Sequence, residues 1–331
     1  MPMNIRKIRY ILGSGKNNKL LYYIREYAKL SVPRPLMAWR RRQLLAAAKH
    51  RDDYEYILER VDYYNKLTPA LASATSHEAW RERSVAVGRQ PKMRQKVYYF
   101  DSMEYGRCFA PTCRWHVLPG DITHVDDVPT IVKSRPIGGS NANSVLLKLN
   151  KIRHFIFVND HTPFVEKKDM AVFRGKVNCK AVRMLFMEKY HGNPRFDTGV
   201  IDREARADWK TEKMSISEHL AYRYILALEG NDVASNLKWV MSSNSLAVMP
   251  KPTYETWFME GKLKGGYHYV EVKPDLSDIE EKMDYYSAHP DEAEAIIAHA
   301  HEYVAQFRDK RREDIISLMV LEKYFRSVSD L

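Results

Sequence analysis

From residue 214 to 286 the chain alternates between apolar runs without breakers and stretches whose apolar residues recur at helical spacing. Tyr222-Arg-Tyr-Ile-Leu-Ala-Leu228 is aromatic and aliphatic almost throughout and stops at Gly230, which predicts a buried strand. Val233 to Met241 follows with Leu237 and Val240 at helical positions, and Ser245-Leu-Ala-Val-Met249 returns to strand character before Pro250. Tyr254 to Phe258 reads as a short aromatic helix, His268-Tyr-Val-Glu-Val272 as a strand, and Asp275 to Tyr286 as a helix opened by Asp275, Ser277 and Asp278. This order predicts an α/β nucleotide-binding half, whose ligands lie beyond the carboxyl ends of the strands. The loop Gly230 to Ser235 is one such end.

Upstream the pattern is less regular. Asp52 to Lys66 predicts a helix halted near Pro69, and residues 68–96 an irregular, polar connection. Lys96-Val-Tyr-Tyr-Phe100, Trp115-His-Val-Leu118 and Pro129-Thr-Ile-Val132 have strand composition. Asn143 to Leu149 predicts a short helix, His154-Phe-Ile-Phe-Val158 a strand, Met170-Ala-Val-Phe173 a strand ending in Arg174-Gly175, and Lys176 to Tyr190 a helix. The final helices span Asp291 to Phe325, and no internal repeat interrupts the series.

At 331 residues the chain exceeds one ordinary core and predicts two packed domains, with the break between Asp160 and Met170. No window approaches the length of a membrane span, and Met1-Pro-Met-Asn-Ile-Arg-Lys7 lacks the apolar core of a signal peptide, so a cytoplasmic location is expected. Cys108, Cys113 and Cys179 are an odd, sparse set that fits reduced thiols. The net charge of +11 is localised: residues 1–51 hold 13 Lys and Arg against Glu26 alone, while residues 52–331 hold 40 bases and 41 acids. Within that basic arm, Leu20-Leu-Tyr-Tyr-Ile24 and Leu36-Met-Ala-Trp39-Arg-Arg-Arg-Gln-Leu-Leu45 interleave apolar and cationic residues. Two readings follow: a solvated basic helical subdomain, or attraction to a phosphorylated glycolipid or the anionic inner membrane surface. No zinc-finger, RRM or KH signature accompanies the charge, so nucleic acid is not the expected partner.

Glu229-Gly-Asn-Asp-Val-Ala-Ser-Asn-Leu-Lys-Trp239, Ser242-Ser-Asn-Ser-Leu246, Pro252-Thr-Tyr-Glu-Thr-Trp-Phe258, His268-Tyr-Val-Glu-Val-Lys-Pro-Asp-Leu-Ser-Asp278 and Val172-Phe-Arg-Gly-Lys176 together resemble glycosyltransferase family 90. The likeness runs from about Val97 to Tyr303 and is strongest to the bacterial lipopolysaccharide branch. It implies an α/β fold of GT-B type, with two Rossmann-like domains facing a central cleft. It further implies an inverting transfer from a UDP-sugar to a lipopolysaccharide core or surface-glycan acceptor, with no metal and no cofactor. The resulting division is a basic helical arm over residues 1–95, an acceptor domain over 96–165, a nucleotide-sugar domain over 166–290, and terminal helices over 291–331 that cross back to the first domain.

Such chemistry needs a base for the acceptor hydroxyl, cationic or N–H donors for the departing diphosphate, and a pocket for the nucleoside. For the diphosphate, Arg174, Gly175 and Lys176 follow a predicted strand, with Arg183 nearby, Gly230, Asn231, Asp232 and Ser235 in the facing loop, and Lys238 one turn along the helix expected from Val233. Asn236 stands where eukaryotic members of the family carry Arg, leaving Lys238, Arg183 or Lys176 to make that contact. The resemblance places Ser242, Ser243 and Asn244 near the base and Glu255 near the ribose or sugar. Capping and turn roles explain Asn231, Asp232 and the Ser-Ser-Asn run equally well. For the catalytic base, Asp101, Asp160 and Asp121 each follow a predicted strand, Asp101 being the nearest counterpart of the family's aspartate. Lys133, Ser134 and Arg135, then Ser140, Asn141 and Asn143, are read as acceptor-side or cleft residues.

Cys108-x4-Cys113-x2-His116 with His124 matches no common zinc spacing, and Gly13-Ser-Gly-Lys16 lacks full Walker spacing. The rival functions are a lipopolysaccharide core kinase, which would require a metal-binding acid and amide pair beside a catalytic Asp, and a non-catalytic basic binding protein.

Overall fold

The computed structural model describes residues 15–68, 71, 75–329 and 331; residues 1–7, Gly13, Ser14 and Pro69, singled out above, lie outside them. The chain divides into two compact units. The first is built from residues 18–152, 253–260 and 307–331. The second contains residues 153–252 and 261–306 together with 15–17.

The first unit is mainly helical, with α1 (Lys19–Leu30), α2 (Arg34–Ala48), α3 (Tyr54–Tyr64), α4 (His77–Arg83) and α5 (Lys96–Gly106). The long terminal helix α11 (Lys310–Ser327) packs on α2, α3 and α5. Its strands are short and two-membered: β1 (Val85–Ala86) with β2 (Arg114–Trp115), β3 (Thr130–Val132) parallel to β5 (Ser144–Leu146), and β4 (Ser134–Pro136) antiparallel to β10 (Tyr254–Thr256). Among the described residues this unit therefore holds pairs of strands, with no doubly wound sheet.

Three predictions are corrected in this unit. Lys96 to Phe100 is the first half of α5, not a strand: the aromatic run continues into Asp-Ser-Met-Glu-Tyr, and the helix is buried on nearly every side, so a short apolar stretch could not reveal its period. Residue Gly106 closes that helix where an added Cβ would come within 2.3 Å of the Trp115 ring. Within residues 143–149 the chain forms β5 rather than a helix, because Ser144–Leu146 pairs with β3 in the interior. Tyr254–Thr256 is a strand, with Glu255 directly opposite Arg135 in the pairing with β4, so a cross-strand ion pair overrides helical spacing.

The second unit is the α/β half. Five parallel strands, β6 (Lys168–Gly175), β7 (Phe196–Val200), β8 (Tyr222–Leu226), β9 (Leu246–Met249) and β11 (Val270–Glu271), lie in the order β11-β9-β8-β6-β7. Numbered along the chain this is the 2-1-3-4-5 order of a doubly wound sheet, with its switch point between β6 and β8. Ala171, Phe173, Tyr224, Leu226 and Val248 belong to a core closed by Phe186, Met187 and Tyr190 of α6 (Ala181–Tyr190) and by Ile279, Met283 and Tyr286 of α9 (Ile279–Ala288). The unit is completed by α7 (Ile216–His219), α8 (Leu237–Val240) and α10 (Pro290–Ala305).

The strands expected at 170–173, 222–228, 245–249 and 268–272 are found as β6, β8, β9 and β11, β7 was not expected, and helix starts are displaced toward the carboxyl side. The helix expected from Val233 begins at Leu237, because the Asn236 side chain donates to the Leu226 carbonyl at 2.9 Å and the Gly230 N–H to the Asp232 carbonyl at 2.8 Å, folding the loop into turns. The helix expected from Lys176 begins at Ala181, because the Val177 and Asn178 N–H groups donate to the Asp202 carboxylate. The helix expected from Asp275 begins at Ile279. Residues 154–158 are not a strand: His154 ends a helical turn, and the Val158 N–H donates to Ser242 Oγ instead of a ladder partner.

Candidate functional site

In a doubly wound sheet the ligand crevice opens beyond the carboxyl ends of the two strands flanking the switch point, here Gly175 of β6 and Leu226 of β8. Arg183 on α6 reaches into this place. Its Nε donates to the Leu228 and Glu229 carbonyls at 3.2 and 3.0 Å, Nη1 to the Lys176 carbonyl at 3.0 Å and Nη2 to the Leu228 carbonyl at 2.8 Å. One guanidinium thus ties the loop after β6 to the loop after β8. An added Cβ on Gly230 would lie 3.0 Å from Nη2, so the glycine lets the backbone close on the guanidinium.

Burial, with Arg153 adding positive charge, pushes the Arg183 pKa down to about 10, against the pull of Asp202 and Asp232. The guanidinium is still a cation at neutral pH. Exposed Arg153 and Lys176 flank it, and two successive backbone N–H groups, of Val177 and Asn178, converge on one anion, the Asp202 carboxylate, at 2.6 and 3.1 Å. Positive charge and a forked donor give this crevice the chemistry that an anion such as a diphosphate needs, while the two amides are already taken by Asp202. Sequence reasoning named Arg183 and Lys176 but missed Arg153 and Asp202; an aspartate just past a strand end, two residues after Val200, was the available signal for the latter.

The other predicted donor residues divide among several places. Arg174 turns sideways: Nη1 donates to the Phe173 and Asp197 carbonyls at 2.9 and 2.8 Å, and Nη2 pairs with the Asp197 carboxylate, which also accepts from Tyr222. In the loop after β8, Asn231 is exposed, Ser235 and Asn236 are half-buried, and Asp232 and Lys238 are buried. Ser242, Ser243 and Asn244 precede β9 and so stand at the amino edge of the sheet, away from the crevice. There Ser242 and Ser243 donate to the Trp239 and Val240 carbonyls, and Asn244 donates to the carbonyls of Asp160 and Thr162. Glu255 lies in the helical unit, 2 % exposed, bound by Arg135 Nε at 2.8 Å and by Tyr63.

The three candidate bases differ in what their carboxylates already hold. Asp101 is fully buried in α5 and accepts from Tyr22 at 2.7 Å and from the Lys151 N–H at 2.9 Å; burial raises its pKa, with Lys151 pulling the other way. Asp160 sits at the amino edge of the sheet, where it accepts from Lys167 Nζ at 2.6 Å and the Asn244 N–H at 2.9 Å, with its side chain 4 % exposed. Asp121 lies after β2 and is more open: its carboxylate is 22 % exposed and pairs with Lys133 Nζ at 2.5 Å.

Around it, Ser134 donates to the Ile122 carbonyl and Asn143 to that of Asp126. Ser140 is exposed beside Gly138 and Gly139. Asn141 is buried and bonded to Lys66 and the Pro136 carbonyl. Arg135 is a structural strut, donating also to the carbonyls of Tyr63, Tyr64 and Ser144.

Cys108 is buried with its thiol pKa pushed up to about 11 by desolvation, and His116 faces Asp126 at 3.5 Å. Among the described residues no group of three or more His, Cys, Asp or Glu is placed to hold a metal ion, and no helix is long and apolar enough to cross a membrane.

Comparison with known proteins adds to this geometry. The model of glycosyl transferase family 90 matches residues 144–324. O-glucosyltransferase LpsA of Dichelobacter nodosus is 42% identical over 270 residues, covering 81% of this chain and 82% of that protein. Protein O-glucosyltransferase 3 of Homo sapiens is 24% identical over 173 residues, covering 50% of this chain and 34% of that protein.

Proposed function

This chain belongs to glycosyltransferase family 90, and from that premise we propose that it transfers a sugar, with inversion, from a UDP-sugar to a lipopolysaccharide core or surface-glycan hydroxyl. The observation that carries the donor half is the Arg183 crevice at the β6/β8 switch point. Cleavage of the bond between the anomeric carbon and UDP leaves the electron pair, and a growing negative charge, on the diphosphate. Arg183, Arg153 and Lys176 are cations held at that place before the reaction begins, which lowers the barrier without reorganisation. Within this reading the sheet unit is the donor domain and the helical unit the acceptor domain.

Asp121 is assigned as the base. It takes the proton of the acceptor hydroxyl as that oxygen attacks the anomeric carbon, a role that needs a carboxylate the acceptor can approach. Asp101 and Asp160 have their carboxylates buried and engaged, whereas Asp121 is partly open. Its pairing with Lys133 Nζ at 2.5 Å fixes the position of the carboxylate.

Glucose is the first sugar to test, on the likeness to a protein named as an O-glucosyltransferase. UDP-glucose, UDP-galactose and UDP-N-acetylglucosamine are compared for thermal stabilisation of the purified protein and for slow hydrolysis. The expected result is stabilisation by free UDP and by one or more of these donors. Failure of UDP and of every UDP-sugar to stabilise the protein or to be hydrolysed would sink the donor assignment. No metal or cofactor is assigned to the reaction, so turnover should survive EDTA unchanged.

A further inference from the structure

Nine large hydrophobic side chains stand exposed among the described residues, and six of them, Leu20, Leu21, Ile24, Tyr27, Leu36 and Trp39, fall within α1 and α2. On α1, Tyr22 and Glu26 form the buried side, the former fastened to Asp101 at 2.7 Å. Tyr27 packs edge-on against buried Phe100 at 4.8 Å, while at 3.6 residues per turn Leu20 and Ile24 stand on the side opposite Tyr22 and Glu26, at i and i+4, with Leu21 beside them. They form an apolar stripe that faces away from the core. Leu20 is 68%, Leu21 63% and Ile24 58% exposed. On α2 the same geometry sets Trp39, 52% exposed, opposite buried Met37 and Ala48. Arg25, exposed and paired with Glu26 at 3.3 Å, borders the stripe of α1, Lys19 is exposed at the start of that helix, and exposed Arg42 stands beside Trp39. The surface is apolar at its centre and cationic at its margins, in the part of the chain that carries all of the excess positive charge.

We propose that the outer face of α1 and α2 is an interfacial anchor for an anionic phospholipid bilayer. Leu20, Leu21, Ile24 and Trp39 enter the boundary between headgroups and acyl chains, while Lys19, Arg25 and Arg42 meet the headgroup phosphates. A solvated helix would carry polar residues on this face, and a nucleic-acid surface has no use for aliphatic side chains at its centre. The bilayer uses both chemistries at once, and a Trp at its edge suits the interface. The inference does not depend on the transferase reading, and its test contains no nucleotide.

The full chain is mixed with vesicles of neutral phosphatidylcholine, or of phosphatidylcholine with phosphatidylglycerol, and sedimented. Binding is expected to the anionic vesicles, weakening as salt rises. Ile24→Asp and Trp39→Ser should each reduce partition by about tenfold or more. Arg25→Gln and Arg42→Gln should each lower it by about fivefold. The same change at an exposed aromatic elsewhere, Tyr285→Ser, should leave it unaltered. Should Ile24→Asp fail to fold, quenching of wild-type tryptophan fluorescence by brominated lipid, abolished in Trp39→Phe, reads the same insertion. Equal binding to both vesicle types, unchanged binding of Ile24→Asp and Trp39→Ser, or a wild-type dimer that Ile24→Asp dissociates while vesicles are ignored would each overturn the proposal. So would salt-sensitive binding to nucleic acid in the absence of vesicle binding.

Discussion

The guanidinium of Arg174 closes on Asp197 in the neighbouring strand, and Tyr222 donates to the same carboxylate from the other side. Burial acts against the charge, but the bonds from Tyr222 and Arg174 win and hold the Asp197 pKa below the usual carboxylate range. Arg174 is thereby expected to stabilise the sheet. Arg174→Ala should cost on the order of 1–3 kcal/mol in denaturant unfolding at neutral pH. UDP affinity of the folded fraction should change by less than about threefold, a small fraction of the loss expected for a lost diphosphate contact. A folded-state pKa below the unfolded one gives stability that is present above the ordinary carboxylate pKa and lost as pH falls through the folded value. The variant's stability should therefore fall less steeply than wild type on the acid side. A large loss of UDP affinity with unchanged stability would return Arg174 to the crevice.

What the sequence revealed of this fold and what it concealed have separate physical causes. Tyr222–Leu226, Leu246–Met249 and Lys168–Gly175 were legible as strands because a doubly wound sheet buries both faces and so demands unbroken apolar runs. Lys96–Gly106 was illegible because a helix buried all round has the same composition as a buried strand. The loop Gly230 to Ser235 was read at the right strand end, but the helix expected from Val233 starts only at Leu237, because the turns between depend on side-chain bonds to distant backbone such as Asn236 to Leu226. The sequence put Arg174 first for the diphosphate and Arg183 only as a substitute donor. Which one entered the crevice depended on the direction its side chain takes, and the Asp197 that diverts Arg174 lies 23 residues away.

Arg183 is expected to govern donor binding. Arg183→Ala removes the fork that joins Lys176 to Leu228 and Glu229, so UDP affinity should fall at least tenfold and turnover about a hundredfold. Arg183→Lys should recover only part, since an ammonium cannot hold two loops with one planar group. Arg153→Gln offers a gentler test. It keeps the Arg183 bonds but removes a repelling neighbour, so UDP affinity should drop severalfold and the salt dependence of binding should weaken. Calorimetry with UDP reads all three, and wild-type affinity in Arg183→Ala would remove this crevice as the diphosphate site.

Glu255 separates the two readings of its motif most cleanly. In the structure it neutralises Arg135, itself 0 % exposed, and receives the Tyr63 hydroxyl. Glu255→Gln leaves that buried cation without its counter-charge and should destabilise the protein by about 3–5 kcal/mol. A contact with ribose would instead raise the Kd for UDP while leaving the melting temperature nearly unchanged. The expected outcome is the first pattern, and the paired measurement of melting temperature and UDP affinity decides it.

The base assignment rests on contrasting carboxylates and is tested by three matched substitutions. Asp121→Asn keeps size and removes basicity, so transfer to the acceptor should fall by roughly two to four orders of magnitude while UDP-sugar binding by the folded protein stays near wild type, and the loss of charge opposite buried Lys133 should lower the melting temperature as well. Asp101→Asn alters a fully buried group bonded to Tyr22 and Lys151, and Asp160→Asn one bonded to Lys167 and Asn244. Both should lower the melting temperature, with any loss of turnover tracking the loss of folded protein. In Asp121→Asn, slow hydrolysis of the donor by water should persist better than transfer, because the diphosphate cations are untouched. If Asp121→Asn transfers sugar at the wild-type rate while Asp101→Asn or Asp160→Asn stays folded and inactive, openness to solvent was the wrong criterion and the base is the residue whose loss silences a stable protein.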